Sequence, residues 1–373
     1  MALGVLLVAG CGGDGHAKAP AVVWKYGDIH FGVLAPLSGS EAARGRDLVD
    51  GARLAAEDLN VRGGVLGKRV RVDTLDDGCD AVRSRASARR LAGRTLGGAL
   101  GTICESAASA AASTLGDGLP FLVTSANAKR VVAGAPTAYL TEGTPYQAAL
   151  AAVHFLAYQN AQRLAVVSGT GAADVRLSKQ VLGLSAPAPV PVSEQHLDDP
   201  VQAATVALAA KPDTVYYAGP AESAGRLVAA LRGAGFHGRF VASAQSDSPA
   251  FLRAAGASGQ GAYVIAPATP QNLPAAGAWA KRFSGRFGHA PGRDAMLAYE
   301  GLRSLAQAVT QSGKIDPRAN STELPRLQDD YRDFLGEPLQ FAADHTVKYD
   351  DNIALQVSAG AFKVESTLRS YQG

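Results

Sequence analysis

The chain has 373 residues, 47% hydrophobic and 18% charged, with a formal net charge of +3. That length exceeds what one hydrophobic core usually serves and suits two lobes, while the composition is that of an ordinary globular protein. The basic run Arg83–Arg90 has no interleaved aromatics, which argues against a nucleic-acid partner, and no apolar run reaches the roughly 18 residues that span a bilayer.

Ala2 to Gly10 are all apolar or small, and Cys11 follows directly. Val8-Ala9-Gly10-Cys11 has the form of a lipobox: an aliphatic residue, two small ones that let the backbone enter a peptidase cleft, then the cysteine that takes the lipid. The stretch is short and lacks a basic n-region, which leaves an upstream start codon open. Gly12 to Tyr26 is rich in Gly, Ala and Pro without apolar periodicity, as a tether should be. We therefore expect a signal peptide over 1–10, a flexible tether over 11–27 and membrane anchoring through Cys11.

Ile29–Ala35 reads as a buried strand ending in the turn Pro36–Ser40. Leu48, Ala52, Ala55, Ala56 and Leu59 then share one helical face, and Gly63-Gly64 ends the helix. Val70–Leu75 alternates as a strand, Val82–Leu96 is helical, Gly98–Gly101 a short strand, Ser106–Leu115 an Ala-rich helix and Phe121–Val123 a strand. After a break the grammar restarts, with helices at Tyr146–Tyr158, Asp174–Leu182, Val201–Ala210 and Glu222–Ala234. Strands are expected at Leu164–Val167, Thr214–Tyr217, Phe240–Ala242 and Tyr263–Ala266, and Pro187–Val192 is a Pro-rich lead into another. Two long helices, Ala275–Phe287 and Ala295–Gln311, precede a tail of antiparallel strands at Leu339–Phe341, Ile353–Val357 and Phe362–Thr367. The alternation implies an α/β fold of two doubly wound parallel sheets.

A search for chemistry finds little. The seven histidines are scattered without H-x-x-x-H or H-x-H pairs, and His30 inside its strand reads as structural. No G-x-S-x-G elbow is present. Gly63–Lys68 is one residue short of a phosphate loop, and Gly169-Thr170-Gly171 lacks the third glycine of a dinucleotide fingerprint. Asp76-Asp77 with Asp80 reads as a solvated turn rather than a cation site. Cys79 and Cys104 remain in the exported body, as a disulfide or as two buried thiols; no histidine stands at zinc-ligand spacing beside them. What is left is the set of loops at strand C-termini, where open α/β sheets gather ligands. These are Pro36–Gly45, Cys104–Ser106 and Thr124–Asn127 in the first block, and Gly143–Gln147, Gly219–Glu222 and Ala242–Asp247 in the second. Most are rich in Ser, Thr, Asn and Gly.

These residues resemble a family, the periplasmic leucine/isoleucine/valine- and amide-binding proteins of ATP-driven (ABC) importers, with the type I periplasmic binding fold. The resemblance is carried by Pro36-Leu37-Ser38-Gly39 with Gly45 and Gly51–Ala55, by Asp58-Leu59-Asn60 with Gly63–Gly67, by Gly118-Leu119-Pro120 leading to Ser125-Ala126, and by Tyr299–Leu302. It covers nearly everything past residue 28 and is loose between 169 and 200. It implies a Cys79–Cys104 disulfide, found in several members, and two discontinuous lobes joined by a three-crossover hinge, 28–142 plus 267–338 and 143–266 plus 339–373. It further implies a monomer outside the cytoplasm that passes a small-molecule ligand to a membrane permease, without catalysis, cofactor or metal. The same lobes serve as sensors for partner receptors, and that alternative stands. Ser38, Glu105, Ser106, Ser125, Ala126 (through its backbone), Asn127, Tyr146 and Glu222 are the expected ligand contacts.

The sequence departs from the family pattern at three of these places. Glu105 stands where a Ser usually follows the second cysteine, Asn127 where a Thr ends the ligand loop, and Ala244, with Gln245 and Asp247 nearby, where an acid usually meets an ammonium. Glu105 facing the cleft would repel a carboxylate; Glu105 facing solvent would not. The expectation is a ligand other than a plain aliphatic amino acid: an amide, a polyol-like molecule or a cation.

Overall fold

The computed structural model describes residues 26–185, 189–327, 333–336 and 339–368. The lipobox, Cys11 and most of the tether lie outside them, as does the start of the Pro187 lead. In the first half β1 (Asp28–Ala35), α1 (Ala42–Val61), β2 (Arg69–Asp76), α2 (Ala81–Ala92), β3 (Gly98–Gly101), α3 (Glu105–Leu115), β4 (Phe121–Val123) and β5 (Ala138–Leu140) follow one another. Their strands form a parallel sheet in the order β2-β1-β3-β4-β5. His30 bridges β1 to β2 through Asp73 (2.9 Å), the structural role expected of it. Helix α1 stops at Gly63 and Gly64, both at positive φ (98° and 74°), with the Gly64 N–H returning to the Leu59 carbonyl.

The second half runs α4 (Pro145–Tyr158), β6 (Arg163–Ser168), α5 (Ala172–Leu184), β7 (Val190–His196), α6 (Pro200–Ala209), β8 (Thr214–Ala218), α7 (Ala221–Gly233), β9 (Arg239–Ala242), α8 (Pro249–Ala255) and β10 (Tyr263–Pro267). Helices start where the sequence supplies acceptors: Thr144 and Gln147 make a reciprocal capping box ahead of Pro145, and Asp199 caps α6. Helices α9 (Gly277–Phe287), α10 (Arg293–Ser312) and α11 (Pro317–Glu323) return to the first sheet. There α10 packs on α1 so closely that a Cβ on Gly51 would lie 2.0 Å from the Ala295 carbonyl oxygen. Finally β11 (Asn352–Ser358) and β12 (Ala361–Thr367) add antiparallel strands to the second sheet, in the order β12-β11-β10-β9-β8-β6-β7. Among the described residues the chain therefore passes between the sheets three times: after β5, after β10 and before β11.

Several expectations are corrected. Leu339–Phe341 is not a strand; Phe341 makes one isolated bridge with Val347, and its apolar side chain serves to pack on the Tyr139 ring at 4.6 Å. The helix expected over Val82–Leu96 ends at Ala92, because Gly93 caps it and Leu96 is buried from the following loop. The Ala275–Phe287 helix begins as a 3₁₀ turn at Pro274–Ala276. The short elements β5, α8 and α11 gave no periodicity long enough to read.

Candidate functional site

Parallel sheets place all their strand C-termini on one edge, and here each sheet carries its polar loops there. On the first sheet, the turn after β1 is held by Asp76: the Leu37 N–H (2.8 Å) and the Ser38 hydroxyl (2.7 Å) donate to it, and Ser38 accepts from Arg83 (2.7 Å). Burial raises the Asp76 carboxyl, but these bonds more than offset it and hold the group below its usual range. Beside it Cys79 and Cys104 form a disulfide (Cα–Cα 5.2 Å) that ties the turn after β2 to the start of α3. Thr102 donates to Asp77, whose fully buried carboxyl is pushed up by desolvation.

Thr124 and Ser125 follow β4. Their hydroxyl oxygens are buried and have no hydrogen-bond partner among the described residues. Ser125 lines a cavity of about 510 Å³ with Arg44, Asp47, Glu142, His289, Arg293 and Asp294 among its walls. Most of these groups are internally hydrogen-bonded: Arg44 is bidentate to Asp294 (2.8 and 3.1 Å), and Asp47 accepts the N–H groups of Gly292 (3.0 Å) and Ala295 (3.0 Å). Arg293 donates from Nε to Glu142 (3.1 Å), from Nη1 to the Ala268 carbonyl and Asp351 (2.5 Å each), and from Nη2 to Asp351 (3.1 Å). Desolvation pushes Glu142 up to about 6 against the opposing pull of Arg293.

On the second sheet the loop after β6 is pinned by Asp198, which accepts from the Thr170 N–H (3.0 Å) and hydroxyl (2.6 Å). Gly219 adopts φ +156°, and a Cβ there would meet the Tyr217 hydroxyl at 2.6 Å. After β9, Gln245 donates to Asp174 (2.6 Å), and the buried Ser246 hydroxyl oxygen has no partner among the described residues. A second crevice of about 730 Å³ opens between Lys129, Tyr146, Leu150, Arg176 and Asp344.

The expected contacts are thus distributed. Ser125 lines the first cavity and Tyr146, 44% exposed, the second. Asn127 donates to the Gly143 carbonyl (3.2 Å), and Ala126 is buried in the apolar cluster behind the first sheet. Glu105 pairs with Arg130, so its charge is matched within its own lobe. Ser38 has both hydroxyl roles occupied by Asp76 and Arg83, and Ser106 is exposed. Glu222 pairs with Arg226 one turn along α7 and lies in a separate shallow basin against α8. Sequence reasoning missed Arg44, Glu142 and Arg293. No local signal reveals them, since Arg293 meets partners 151 and 58 residues away.

Among the described residues no helix is long and apolar enough to cross a membrane, and no group of acidic, His or Cys side chains is placed to hold a metal ion. Comparison with known proteins agrees with this architecture. The chain is 26% identical over 317 residues to the Leu/Ile/Val-binding protein of Escherichia coli (83% of this chain, 85% of that one). It is 26% identical over 302 residues to an amino acid binding protein of Pseudomonas aeruginosa (78% and 80%). A Rhodospirillum rubrum structure assigned as a branched-chain amino acid ABC transporter superposes with a TM-score of 0.82 at 21% identity, covering 90% of this chain and 99% of that one. The periplasmic binding protein family model matches residues 28–360. With one parallel and one largely parallel sheet, three crossings and polar loops at the strand ends of each, the chain belongs to the periplasmic binding protein family.

Proposed function

We propose that this chain is the solute-binding component of an ABC importer, closing two lobes around a small polar molecule and handing it to a membrane permease. The observation that carries the reading is the buried, unpartnered hydroxyl of Ser125 on the wall of the 510 Å³ cavity at a strand end of the first sheet, with polar loops at the strand ends of the second. A buried hydroxyl without a partner costs about 1–3 kcal/mol. A polar ligand that reaches it recovers that energy, and one that reaches both sheets does so only when the lobes are shut, which is what drives closure. The lobes would comprise 28–142 plus 267–350 and 143–266 plus 351–373, the third crossing lying later than the expected 338/339 because Phe341, Asp344 and His345 are held on the first sheet by Tyr139, Lys129 and Leu140.

The ligand is an amino acid, an amide or a related compound. Glu105 lies in an ion pair with the exposed Arg130, which weakens the argument that it would repel a ligand carboxylate. No group is assigned a catalytic step. The protein works outside the cytoplasm as a monomer anchored through Cys11; globomycin would then accumulate an uncleaved, membrane-held precursor, and Cys11→Ala would abolish incorporation of labelled palmitate.

A thermal-shift screen of residues 26–373 against the proteinogenic amino acids, their amides and small polyols tests the function. One specific ligand raising the melting temperature in proportion to the logarithm of its concentration is expected. No shift from any of them at millimolar concentration would count against the assignment.

A further inference from the structure

We propose that Arg293 is the pivot of the hinge: one guanidinium that ties all three crossings together and fixes the path along which the lobes close. This rests on the two-lobe reading above. Glu142 belongs to the crossing after β5, Ala268 to the crossing after β10 and Asp351 to the crossing before β11; Arg293, at the first turn of α10, holds all three. The side chains are largely shielded, at 16% exposure for Arg293, 16% for Glu142 and 18% for Asp351.

Other bonds join the crossings and the elements that flank them. The Ala268 N–H donates to the Asp351 carbonyl (2.8 Å), Gln147 to the Val347 carbonyl (2.8 Å), and the Leu140 N–H to the His345 carbonyl (2.9 Å). Among the described residues, Arg293 alone reaches all three segments through its own side chain. A planar fork with donors on three nitrogens does this, whereas an ammonium is a point charge without that geometry.

Energy alone does not account for the arrangement. Two carboxylates and one guanidinium out of water carry an uncompensated negative charge, and a matched apolar set is commonly as stable or more so. What the ionic set adds is register: the segments interact productively in one relative placement, and each carboxylate is left unmatched in others. The knot also forms a wall of the 510 Å³ cavity next to Ser125, so a ligand there lies against the pivot itself. Arg293 is accordingly a positioning residue, acting on where the second lobe arrives rather than on the ligand's first contacts.

The test is a distance distribution between spin labels at Val82→Cys on α2 and Val201→Cys on α6, both exposed (72% and 66%) and on opposite lobes, measured by double electron–electron resonance on residues 26–373 without ligand. Arg293→Lys and Asp351→Asn are each expected to broaden the distribution roughly two-fold as the open-state ensemble spreads. Arg286→Ala, which removes an exposed pair with Glu57 between α9 and α1, is expected to leave it unchanged. Wild-type width in Arg293→Lys and Asp351→Asn, with circular dichroism intact, would overturn the pivot. If Arg293→Lys does not fold, Asp351→Asn decides by the same criterion. The measurement uses no ligand, so a failed ligand screen would sink the transport reading while this result still stood or fell by itself.

Discussion

Replacing Cys79 and Cys104 by alanine removes the covalent link between the turn after β2 and the start of α3. The two are 25 residues apart, and in the chain-entropy model closing such a loop lowers the unfolded-state entropy enough to stabilise the fold by about 3.5 kcal/mol at 25 °C. The native partners are well placed without the bond: the Cys79 N–H donates to Asp77 (2.8 Å), and the α3 start is held by the Glu105–Arg130 pair. Most of the loss therefore comes from the unfolded chain, not from a collapsed native loop. For a cooperative unit of 150–250 residues each kcal/mol moves the melting temperature roughly 2–4 °C, so the double variant, or wild type treated with a reductant, melts roughly 7–14 °C lower in differential scanning calorimetry. Where the lobes melt separately, only the transition of the first should move. A drop below about 2 °C, with free thiols verified after reduction, would refute the reasoning that this bond restrains the unfolded first lobe.

Gly51→Ala places a methyl 2.0 Å from the Ala295 carbonyl oxygen and should cost about 1–3 kcal/mol in urea denaturation by forcing α1 from α10. Glu142 rises to about 6 from an ordinary 4.5 on folding, so its contribution is present below pH 4.5 and is lost as pH rises through 6. Wild type measured against Glu142→Gln should thus be about 2 kcal/mol more stable, relatively, at pH 4 than at pH 7.5, and a pH-independent difference would contradict this. Once a ligand is known, Ser125→Ala should weaken it roughly 3- to 10-fold by calorimetry, whereas Ser106→Ala, at an exposed hydroxyl, should leave affinity unchanged. Asp58→Asn should lower stability, because Asp58 accepts from Arg282 (2.8 and 2.7 Å) and Tyr299 (2.6 Å), joining α1 to α9 and α10; an unchanged denaturation midpoint would show that these bonds contribute nothing.

What the sequence reveals follows the range of the interactions involved. Strand β3 could be delimited to the residue because glycines bracket its short apolar pair Ala99-Leu100, although the stop of the helix before it, at Ala92 and not Leu96, was not legible. The cysteine pair was legible because few residues of that type remain to pair. Phe341 misled because an apolar side chain signals burial, not the element that buries it; here the partner is Tyr139, some 200 residues away in the chain. The site was legible at the level of loops and not of atoms. Ser38 has the right residue type in the right loop, yet Asp76 and Arg83, from a different strand end and helix, occupy its hydroxyl. Glu105 was weighed as repelling a ligand or facing solvent, and the third possibility, a partner at Arg130, is a tertiary fact.

The same tertiary pairing bears on what the cleft accepts. Two acids stand near opposing strand ends, Glu105 on the first sheet and Asp174 on the second, and each already has a partner within its lobe: Arg130 for Glu105 and the Gln245 amide for Asp174. The difference between those partners matters. Glu105–Arg130 pairs opposite charges, whereas Asp47 on the first-lobe cavity wall is met by backbone N–H groups that satisfy its oxygens without cancelling its charge. Asp174–Gln245 satisfies an oxygen and cancels nothing, and Asp198, which accepts from Thr170 in the neighbouring loop, is likewise uncancelled, so the second lobe keeps negative potential around the N-terminal turn of α5. An anion closing against that lobe would meet a net repulsion that burial strengthens. A ligand carrying a cationic or N–H-rich end, with any carboxylate or carbonyl turned to the Ser125 hydroxyl, avoids that repulsion. That polarity is what an amino acid or an amide possesses and a simple organic acid lacks, and it is the physical reason to place the proposed ligand in that class.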